Sequence, residues 1–548
     1  MEHSKRFAHF SPSANGERSQ PKTWTNKLMA LALSLAVSPL MAAPQTTITS
    51  GPIEGEVQAS AVHYLGIPFA KPPIGELRWK APVDPAPWTT TRETKQFADH
   101  CLQFGHFVNS SDSSIFDQPV GSEDCLYLNV WHPETASSTP RKVILFVYGG
   151  GGVVGTANID SLDASRLANE LDAVIVTTNY REHVLGSLQM NALHVEGDAA
   201  TNSGDFTLLD IIKAMHWTQD NAAAFGGDPN NITVMGQSSG AISLLSLMRS
   251  DLVDGLFSKA ILQSGIPFYY DKDKLEARAK TYVQNLVAAA EAAEDHVLAE
   301  GQTFDDWWGD TNNDEVKYNF LMSRTSEEIL LATRGENGVA YIFDTADGYI
   351  FPEDPDNNGG KDFEYINSVP MIVGNMADEM GILFFNAYTP LTRAEAFDLN
   401  NSGLQYPQIT VDDLLDNSTG YFLASSSADL VLRNVTLPDF ANTIANTGVP
   451  VYRYRFLWKN YPNPWKKVFG AFHGLDMAFL WGNMPDSFQP EDEFFGKFTL
   501  LGNSKAERDA IHNELVTAVR SFIETGVPTT PNGSWPEWSA TLTAKTID

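Results

Sequence analysis

The chain has 548 residues, of which 43% are hydrophobic and 11% aromatic, so it can bury the core of a large globular protein. Its formal net charge at pH 7 is -31. An acidic surface repels phosphate groups and anionic lipids, which argues against a nucleic-acid partner and against electrostatic attachment to a membrane. The composition gives no indication of the oligomeric state.

The N-terminal residues have the order of a secretory signal peptide. Two lysines precede an apolar stretch, Leu28 to Val37, and the small residues Ala42 and Ala43 follow it. The stretch is too short to span a bilayer, so no permanent membrane anchor is expected. The sequence therefore predicts a signal peptide at 1–42, a single mature domain at 43–548, and a secreted or periplasmic protein.

The chain contains two cysteines, Cys101 and Cys125. In an exported protein an isolated pair of this kind predicts one disulfide, and a pair of free thiols is the alternative. Two cysteines without a suitably spaced histidine do not build a metal site. We expect neither a metal nor another cofactor.

Five short apolar runs rich in β-branched residues end in turn residues, with helix-compatible stretches between them. The runs are Val143–Val147, Ala173–Thr178, Ile232–Met235, Ala260–Leu262 and Val369–Val373. Because they do not alternate apolar with polar residues, they predict an α/β fold with a mostly parallel sheet flanked by helices on both faces. Ligands of such folds bind beyond the carboxyl ends of the strands, and we expect helical and loop insertions over that edge.

The pentapeptide at 236–240, Gly-Gln-Ser-Ser-Gly, follows the predicted strand Ile232–Met235 and precedes a helix-compatible run. Strand, sharp turn and helix form the setting in which G-x-S-x-G makes a nucleophile elbow. Small residues let the chain turn tightly and leave the hydroxyl exposed. Ser238 is the candidate nucleophile. Ser239 is a poorer candidate, because Gln237 rather than glycine lies two residues before it.

A serine nucleophile needs a base, an acid that orients the base, and donors for the oxyanion. In α/β hydrolases the chain order is serine, acid, histidine, and two histidines, His473 and His512, follow residue 379. His512 falls in a charged amphipathic stretch, 506–522, for which we expect a solvated surface position. His473 lies beside glycines in a predicted loop that can hold an imidazole against a neighbour. We predict His473 as the base.

Two carboxylates, Asp378 and Glu379, follow the last predicted strand and precede His473. The pattern alone does not choose between them. Four glycines, Gly149 to Gly152, follow the strand Val143–Val147, and backbone N–H groups in such a run can approach a ligand closely. A phosphate loop is the alternative, but no G-K-[ST] follows.

Further blocks of sequence lie in a fixed order around these motifs. They are Gly66–Pro73, Gly75–Trp79, Glu123–Val130, Asn179–Arg181, Phe225–Asn230 and Trp535–Pro536. Together with the elbow, they resemble the type-B carboxylesterase and cholinesterase family of α/β hydrolases over nearly the whole mature chain. The resemblance implies the α/β-hydrolase fold and hydrolysis of small-molecule carboxylic esters through an acyl-enzyme.

The resemblance also implies roles for individual residues and prefers Glu379 over Asp378 as the acid. Those roles are Ser238 as nucleophile, Glu379 as orienting acid, His473 as base, the N–H groups of Gly150, Gly151 and Ser239 as oxyanion hole, and Cys101 with Cys125 as the first loop disulfide. The chain departs from the family at Gln237, where glutamate is usual, so a negative charge beside the imidazole is missing.

Within this family, the residues favour a general carboxylesterase over a cholinesterase. The stretch 114–117 has no tryptophan for a quaternary ammonium, although Phe116 is available, and the positions near Ala340 and Ile342 are not bulky phenylalanines. A lipase, or an esterase for a bulky aromatic or polyol ester, is the alternative enzyme. A noncatalytic binding protein of the same fold is the alternative from another class.

Overall fold

A ten-stranded sheet runs through the residues that the computed structural model describes, 43–267, 272–334, 347–352, 364–403, 409–483, 505–539 and 544–548. Its strands in chain order are β1 Glu56–Gln58, β2 Ala61–Pro68, β3 Tyr127–Pro133, β4 Arg141–Val147, β5 Ala173–Thr178, β6 Gly227–Gln237, β7 Lys259–Gln263, β8 Met371–Met376, β9 Val451–Phe456 and β10 Lys545–Ile547.

The spatial order of the strands is β10-β9-β8-β7-β6-β4-β5-β3-β2-β1. Pairing is parallel from β10 to β5 and antiparallel from β5 to β1. The parallel strands β4 and β5 are buried along almost their whole length, as expected for a sheet covered on both faces. The predicted α/β fold is confirmed. Four of the predicted runs lie within β4, β5, β6 and β7, and the fifth, Val369–Val373, overlaps β8, which begins at Met371.

Helices fill most of the chain between the parallel strands. They are α1 Ser165–Leu171, α2 His183–Gly186, α3 Ala199–Asn202, α4 Phe206–Asn221, α5 Ser239–Leu247, α6 Lys272–Ala292, α7 Phe304–Gly309, α8 Asp314–Ser323, α9 Ser326–Leu331, α10 Met380–Tyr388, α11 Arg393–Gly403, α12 Val411–Leu414, α13 Ser418–Val431, α14 Leu437–Ala445, α15 Trp465–Phe469, α16 Leu475–Trp481 and α17 Lys505–Thr525. The longest connections between consecutive strands of this sheet run from β7 to β8 (264–370) and from β9 to β10 (457–544).

Three smaller sheets accompany the large one. An N-terminal sheet contains Gln45–Ile48, Gly51–Glu54 and Arg92–Glu93, and two-stranded pairs join Gln103–Phe104 to Pro119–Val120 and Thr529–Thr530 to Gly533–Ser534. Residues 43–548 belong to one compact unit. Among the described residues no helix is both long enough and apolar enough to cross a bilayer. The predicted signal peptide, 1–42, lies outside the described residues.

Cys101 and Cys125 form a disulfide, with Cα atoms 4.9 Å apart. The bond closes the loop that contains the short Gln103–Phe104 and Pro119–Val120 pair. Both cysteines are buried. Both ends of this disulfide loop are therefore anchored in the core.

The expected surface position of His512 is wrong. The side chain is buried in helix α17, where Nδ1 lies 2.7 Å from the carbonyl oxygen of Phe479 and Nε2 lies 2.7 Å from Glu170 Oε2. The charged residues of α17 suggested a solvated helix, yet one of its faces packs on α16 and α1. His512 joins these three helices, and it lies in none of the contacts that surround Ser238.

Candidate active site

Ser238 occupies the turn between β6 and helix α5. Its φ of 52° and ψ of -124° form a positive-φ conformation that costs a non-glycine residue about 1–3 kcal/mol. The Ser238 N–H donates to the carbonyl oxygen of Gln263 at the end of β7 (2.8 Å), and the Ile242 N–H donates to the Ser238 carbonyl oxygen (2.9 Å). These bonds hold the strained turn at the carboxyl edge of the sheet.

The glycines of the pentapeptide are required by close packing. A Cβ added to Gly236 would lie 2.8 Å from the backbone nitrogen of Ala241. A Cβ added to Gly240 would overlap the carbonyl oxygens of Val147 and Tyr148. Helix α5 therefore begins directly against the end of β4, and larger residues at either position would displace the turn that carries Ser238.

Glu379 and His473 meet at the same edge of the sheet. Glu379 follows β8, and His473 lies in the loop between α15 and α16. His473 Nδ1 lies 2.5 Å from Glu379 Oε2. The other carboxylate oxygen, Oε1, accepts bonds from Ser264 Oγ (2.8 Å) and from the Met376 N–H (2.6 Å). The buried carboxylate is thus fixed on one side and directed at the imidazole on the other.

Asp378 supports the loop that carries His473. Its Oδ2 accepts bonds from the Ala471 N–H (2.9 Å) and from Lys459 Nζ (2.8 Å), while its own N–H donates to the Ala471 carbonyl oxygen (3.0 Å). The adjacent carboxylates therefore have different contacts. Glu379 contacts the imidazole of His473, and Asp378 contacts the backbone of Ala471, two residues before His473.

The second ring nitrogen of His473 reaches the elbow. Nε2 lies 3.3 Å from the side-chain nitrogen of Gln237, the residue before Ser238. Because Nδ1 faces a carboxylate, Nδ1 carries the proton and Nε2 keeps a lone pair, to which the Gln237 amide can donate. His473 Nε2 therefore lies beside the residue that precedes Ser238, and that neighbour is a neutral amide.

The glycine run after β4 lies against Ser238. Gly150 and Gly151 have φ values of 135° and 72°, which favour glycine. A Cβ added to Gly149 would lie 2.6 Å from the Cβ of Ser238. Ser239 is the first residue of α5, so its N–H has no acceptor within the helix. The predicted oxyanion-hole residues and the predicted nucleophile therefore lie at one edge of the sheet.

A second buried carboxyl group, which the sequence did not point to, lies beside the first. Asp476 Oδ2 accepts bonds from the Tyr454 hydroxyl (2.5 Å) and from Gln263 Nε2 (3.0 Å). Burial and, to a smaller extent, the charge of Glu379 raise the pKa of Asp476 to about 6, although the hydrogen bonds from Tyr454 and Gln263 oppose the rise. Its position three residues after His473 is the only signal that the sequence offered.

The electrostatic surroundings favour the protonated form of His473. Burial lowers its pKa, but the charge of Glu379, the hydrogen bond to Glu379 and the charge of Asp476 together outweigh burial, so that the pKa is raised above its usual value. A carboxylate that stabilises an imidazolium is what a base needs when it takes a proton from a hydroxyl.

Of the positions that bear on substrate choice, Phe116 lies among the described residues. Phe116 is buried and packs edge to face on Phe397, with ring centroids 5.2 Å apart. Ala340 and Ile342 lie outside the described residues. In the part of the chain that the structure describes, no group of histidine, cysteine and carboxylate side chains could hold a metal ion.

The fold is that of an α/β hydrolase. Its sheet is mostly parallel, a strained serine follows a central strand, and a carboxylate and a histidine follow later strands. The chain matches the model of the carboxylesterase family over residues 42–546, and it belongs to that family of carboxylic ester hydrolases.

Relatives and solved structures agree with this assignment. The para-nitrobenzyl esterase of Bacillus subtilis (strain 168) is 29% identical over 506 residues, which cover 90% of this chain and 92% of that protein. The fumonisin B1 esterase of Sphingopyxis macrogoltabida is 37% identical over 278 residues, 48% of this chain and 49% of that protein. The structure of the Geobacillus stearothermophilus carboxylesterase EST55 at pH 6.8 superposes with a TM-score of 0.66 at 26% identity, over 92% of this chain and 96% of that one.

Proposed function

We propose that the protein hydrolyses carboxylic esters through an acyl-enzyme on Ser238. The observation that carries this proposal is the joint position of a strained serine, the Glu379–His473 pair at 2.5 Å and the glycine run. His473 is the base, Glu379 orients it, and the N–H groups of Gly150, Gly151 and Ser239 form the oxyanion hole.

In the proposed first half-reaction, Ser238 Oγ attacks the ester carbonyl carbon while its proton moves to His473 Nε2. The carbonyl oxygen becomes an oxyanion that accepts hydrogen bonds from the backbone N–H groups. The carbon–oxygen bond to the alcohol breaks, and the His473 proton passes to the departing oxygen. An alcohol leaves, and the acyl group stays on Ser238.

In the second half-reaction, His473 takes a proton from water as the water oxygen attacks the acyl carbon. The tetrahedral species collapses, Ser238 Oγ regains the proton from His473, and the carboxylic acid leaves. Glu379 stays ionised throughout and stabilises the imidazolium that forms twice in each cycle.

We propose a general carboxylic ester as the substrate rather than a choline ester. The B. subtilis relative is named for para-nitrobenzyl esters, which makes these esters the first to test, followed by a series of acyl lengths from acetate to palmitate. Preference for palmitate would favour the lipase alternative. Preference for aryl or polyol esters would favour the esterase for bulky substrates.

The test compares the purified enzyme with Ser238→Ala on a p-nitrophenyl ester. Loss of a serine nucleophile typically costs about 10⁶ in turnover, so hydrolysis should fall to the background of the assay. Ser246→Ala, which removes a buried hydroxyl from the same helix α5, is the control and should keep its activity. Equal rates for wild type and Ser238→Ala would refute the proposal, and no activity in either would favour the noncatalytic alternative.

We also propose that residues 1–42 direct export and are removed. The disulfide between Cys101 and Cys125 supports an oxidising compartment for the mature chain. N-terminal sequencing of protein recovered from an exporting host should give a start near residue 43. A mature protein that keeps 1–42 would contradict this proposal.

A further inference from the structure

The carboxyl group of Glu182 is buried near the glycine run, and no charged partner of it lies among the described residues. Glu182 is 1% exposed, and its Oε2 accepts a bond from Gln103 Nε2 (2.9 Å). Its Oε1 has no hydrogen-bond partner within the described part of the chain. The neighbouring Arg181 is paired with Asp210 instead, at 2.7 Å. Burial raises the pKa of Glu182 well above its ordinary range, which favours the protonated, uncharged form of the carboxyl group.

Gln103 connects Glu182 to the end of the glycine run. Its side chain is fully buried in the disulfide loop. Oε1 accepts a bond from the Gly155 N–H (2.7 Å), and Nε2 donates to the Gly155 carbonyl oxygen (2.7 Å) as well as to Glu182. One amide therefore satisfies both backbone groups of Gly155, and the Glu182 carboxyl helps to fix the orientation of that amide.

Gly155 in turn contacts the start of the run. A Cβ added to Gly155 would lie 2.5 Å from the carbonyl oxygen of Gly149, and a Cβ added to Gly149 would lie 2.6 Å from the Cβ of Ser238. Backbone packing this close cannot absorb a shift at one point without moving the next. A displacement of Gly155 would therefore reach the residues between Gly149 and Gly155, here called the oxyanion loop.

The segment that contains Glu182 holds the oxyanion loop at a second point. The N–H of His183 donates to the Gly152 carbonyl oxygen (2.8 Å). Within the loop, the Val154 N–H donates to the Gly150 carbonyl oxygen (3.2 Å). His183 thus fixes the loop in its middle, and Gln103, which Glu182 contacts, fixes it at its end.

We infer that Glu182 and Gln103 are positioning residues that hold the oxyanion loop in the geometry needed for the transition state. The inference rests on the proposed function, because it gives the loop a role only if Gly150 and Gly151 bind the oxyanion. Neither side chain touches the substrate. Their effect is on the position of the N–H donors, which lie on the same loop.

A positioning role differs from a merely structural one in what it changes. A misplaced donor weakens the transition state more than the bound substrate, so kcat should fall while KM stays nearly constant. The affinity for a trifluoromethyl ketone, which forms a tetrahedral adduct with a serine nucleophile, should fall by the same factor as kcat. A loss of stability alone would change neither quantity in the folded fraction.

The experiment compares Glu182→Leu with Glu182→Gln in the full-length mature enzyme. Leucine fills the space without an acceptor, and we expect kcat and trifluoromethyl ketone affinity to fall about 10–100-fold, below the cost of deleting a whole donor. Glutamine keeps an uncharged acceptor for Gln103 in a side chain of nearly the same shape, so kcat and trifluoromethyl ketone affinity should stay within about threefold of wild type. Gln103→Met serves as a second variant if Glu182→Leu does not fold.

Val519→Ala, which removes buried volume from helix α17, is the control for lost stability and should keep its kcat and inhibitor affinity. Glu182→Leu and Gln103→Met with kcat and inhibitor affinity both within threefold of wild type would overturn the inference. A failure of the proposed function would look different, because wild type itself would then not depend on Ser238 and would not bind the ketone.

Discussion

The carboxylate of Glu379 lies 2.5 Å from Nδ1 of His473, while the carboxylate of its neighbour Asp378 bonds to the backbone of Ala471. Adjacent residues of similar chemistry thus divide two tasks. Glu379 sets the proton position on the imidazole, and Asp378 sets the position of the loop that carries the imidazole. The difference gives a direct way to separate orientation of His473, the proposed base, from support of its loop.

Glu379→Gln should lower kcat by about 10³–10⁴, because an amide cannot stabilise the imidazolium and can favour the wrong tautomer. Asp378→Asn keeps an acceptor for the Ala471 N–H but loses the charge that pairs with Lys459, so its main effect should be lower stability. Steady-state kinetics and thermal unfolding of both variants provide the measurement. A loss of kcat in Asp378→Asn as large as that in Glu379→Gln would contradict the assignment.

The pH dependence follows from the raised pKa of His473. Since the base must be neutral to accept a proton, kcat/KM should fall as the pH drops through that raised pKa. Gln237→Glu places a negative charge beside Nε2, favours the imidazolium further, and should move the acid limb upward by about one pH unit. Gln237→Met is the uncharged control and should leave the limb near its wild-type position. A downward shift in Gln237→Glu would count against this account.

Asp476 should make the wild type less stable as the pH rises. Its pKa of about 6 lies above the usual aspartate value, so the folded protein holds a proton that the unfolded chain loses at lower pH. Stability is lost between about pH 4 and pH 6, where this group ionises in a buried site. Asp476→Asn keeps acceptors for Tyr454 and Gln263 but never ionises. Its unfolding midpoint relative to wild type should be higher at pH 8 than at pH 4.5, and the opposite order would refute this reading.

The glycine run should tolerate no side chain beside the nucleophile. Gly149→Ala places a methyl group 2.6 Å from the Cβ of Ser238, and the shift this forces should reduce kcat by about 100-fold or more. Gly309→Ala, on helix α7, has open space around the new methyl group and should keep full activity. Equal kcat in wild type and Gly149→Ala would show that the run does not form part of the site.

Much of the fold could be predicted from the sequence, because buried parallel strands have unbroken runs of apolar residues. The runs in β4, β5, β6 and β7 carry that signal, and the small residues around Ser238 mark the turn. The chain order of serine, carboxylate and histidine then predicted that all three side chains lie at the carboxyl edge of the sheet. The strands and the turn around Ser238 could be predicted because periodicity and local propensity depend only on residues that are neighbours in the sequence.

The parts that could not be predicted depend on contacts between distant segments. Nothing in the residues around His512 indicates the Glu170 side chain that draws it into the core. The local pattern left the choice between Asp378 and Glu379 open, and the family resemblance made it. The contact of Glu379 with His473 depends on where the His473 loop folds back. Likewise, nothing in the sequence around Glu182 indicates that its carboxyl group is buried and accepts a hydrogen bond from Gln103.

The most direct measurement for the central claim is covalent labelling with a p-nitrophenyl alkylphosphonate. We expect stoichiometric release of p-nitrophenol and one phosphonyl adduct, which peptide mapping by mass spectrometry should locate on Ser238. Ser238→Ala should show no adduct, and Glu379→Gln should react far more slowly than wild type. An active enzyme whose adduct lies on another residue, or that forms no adduct while it hydrolyses esters, would contradict the account.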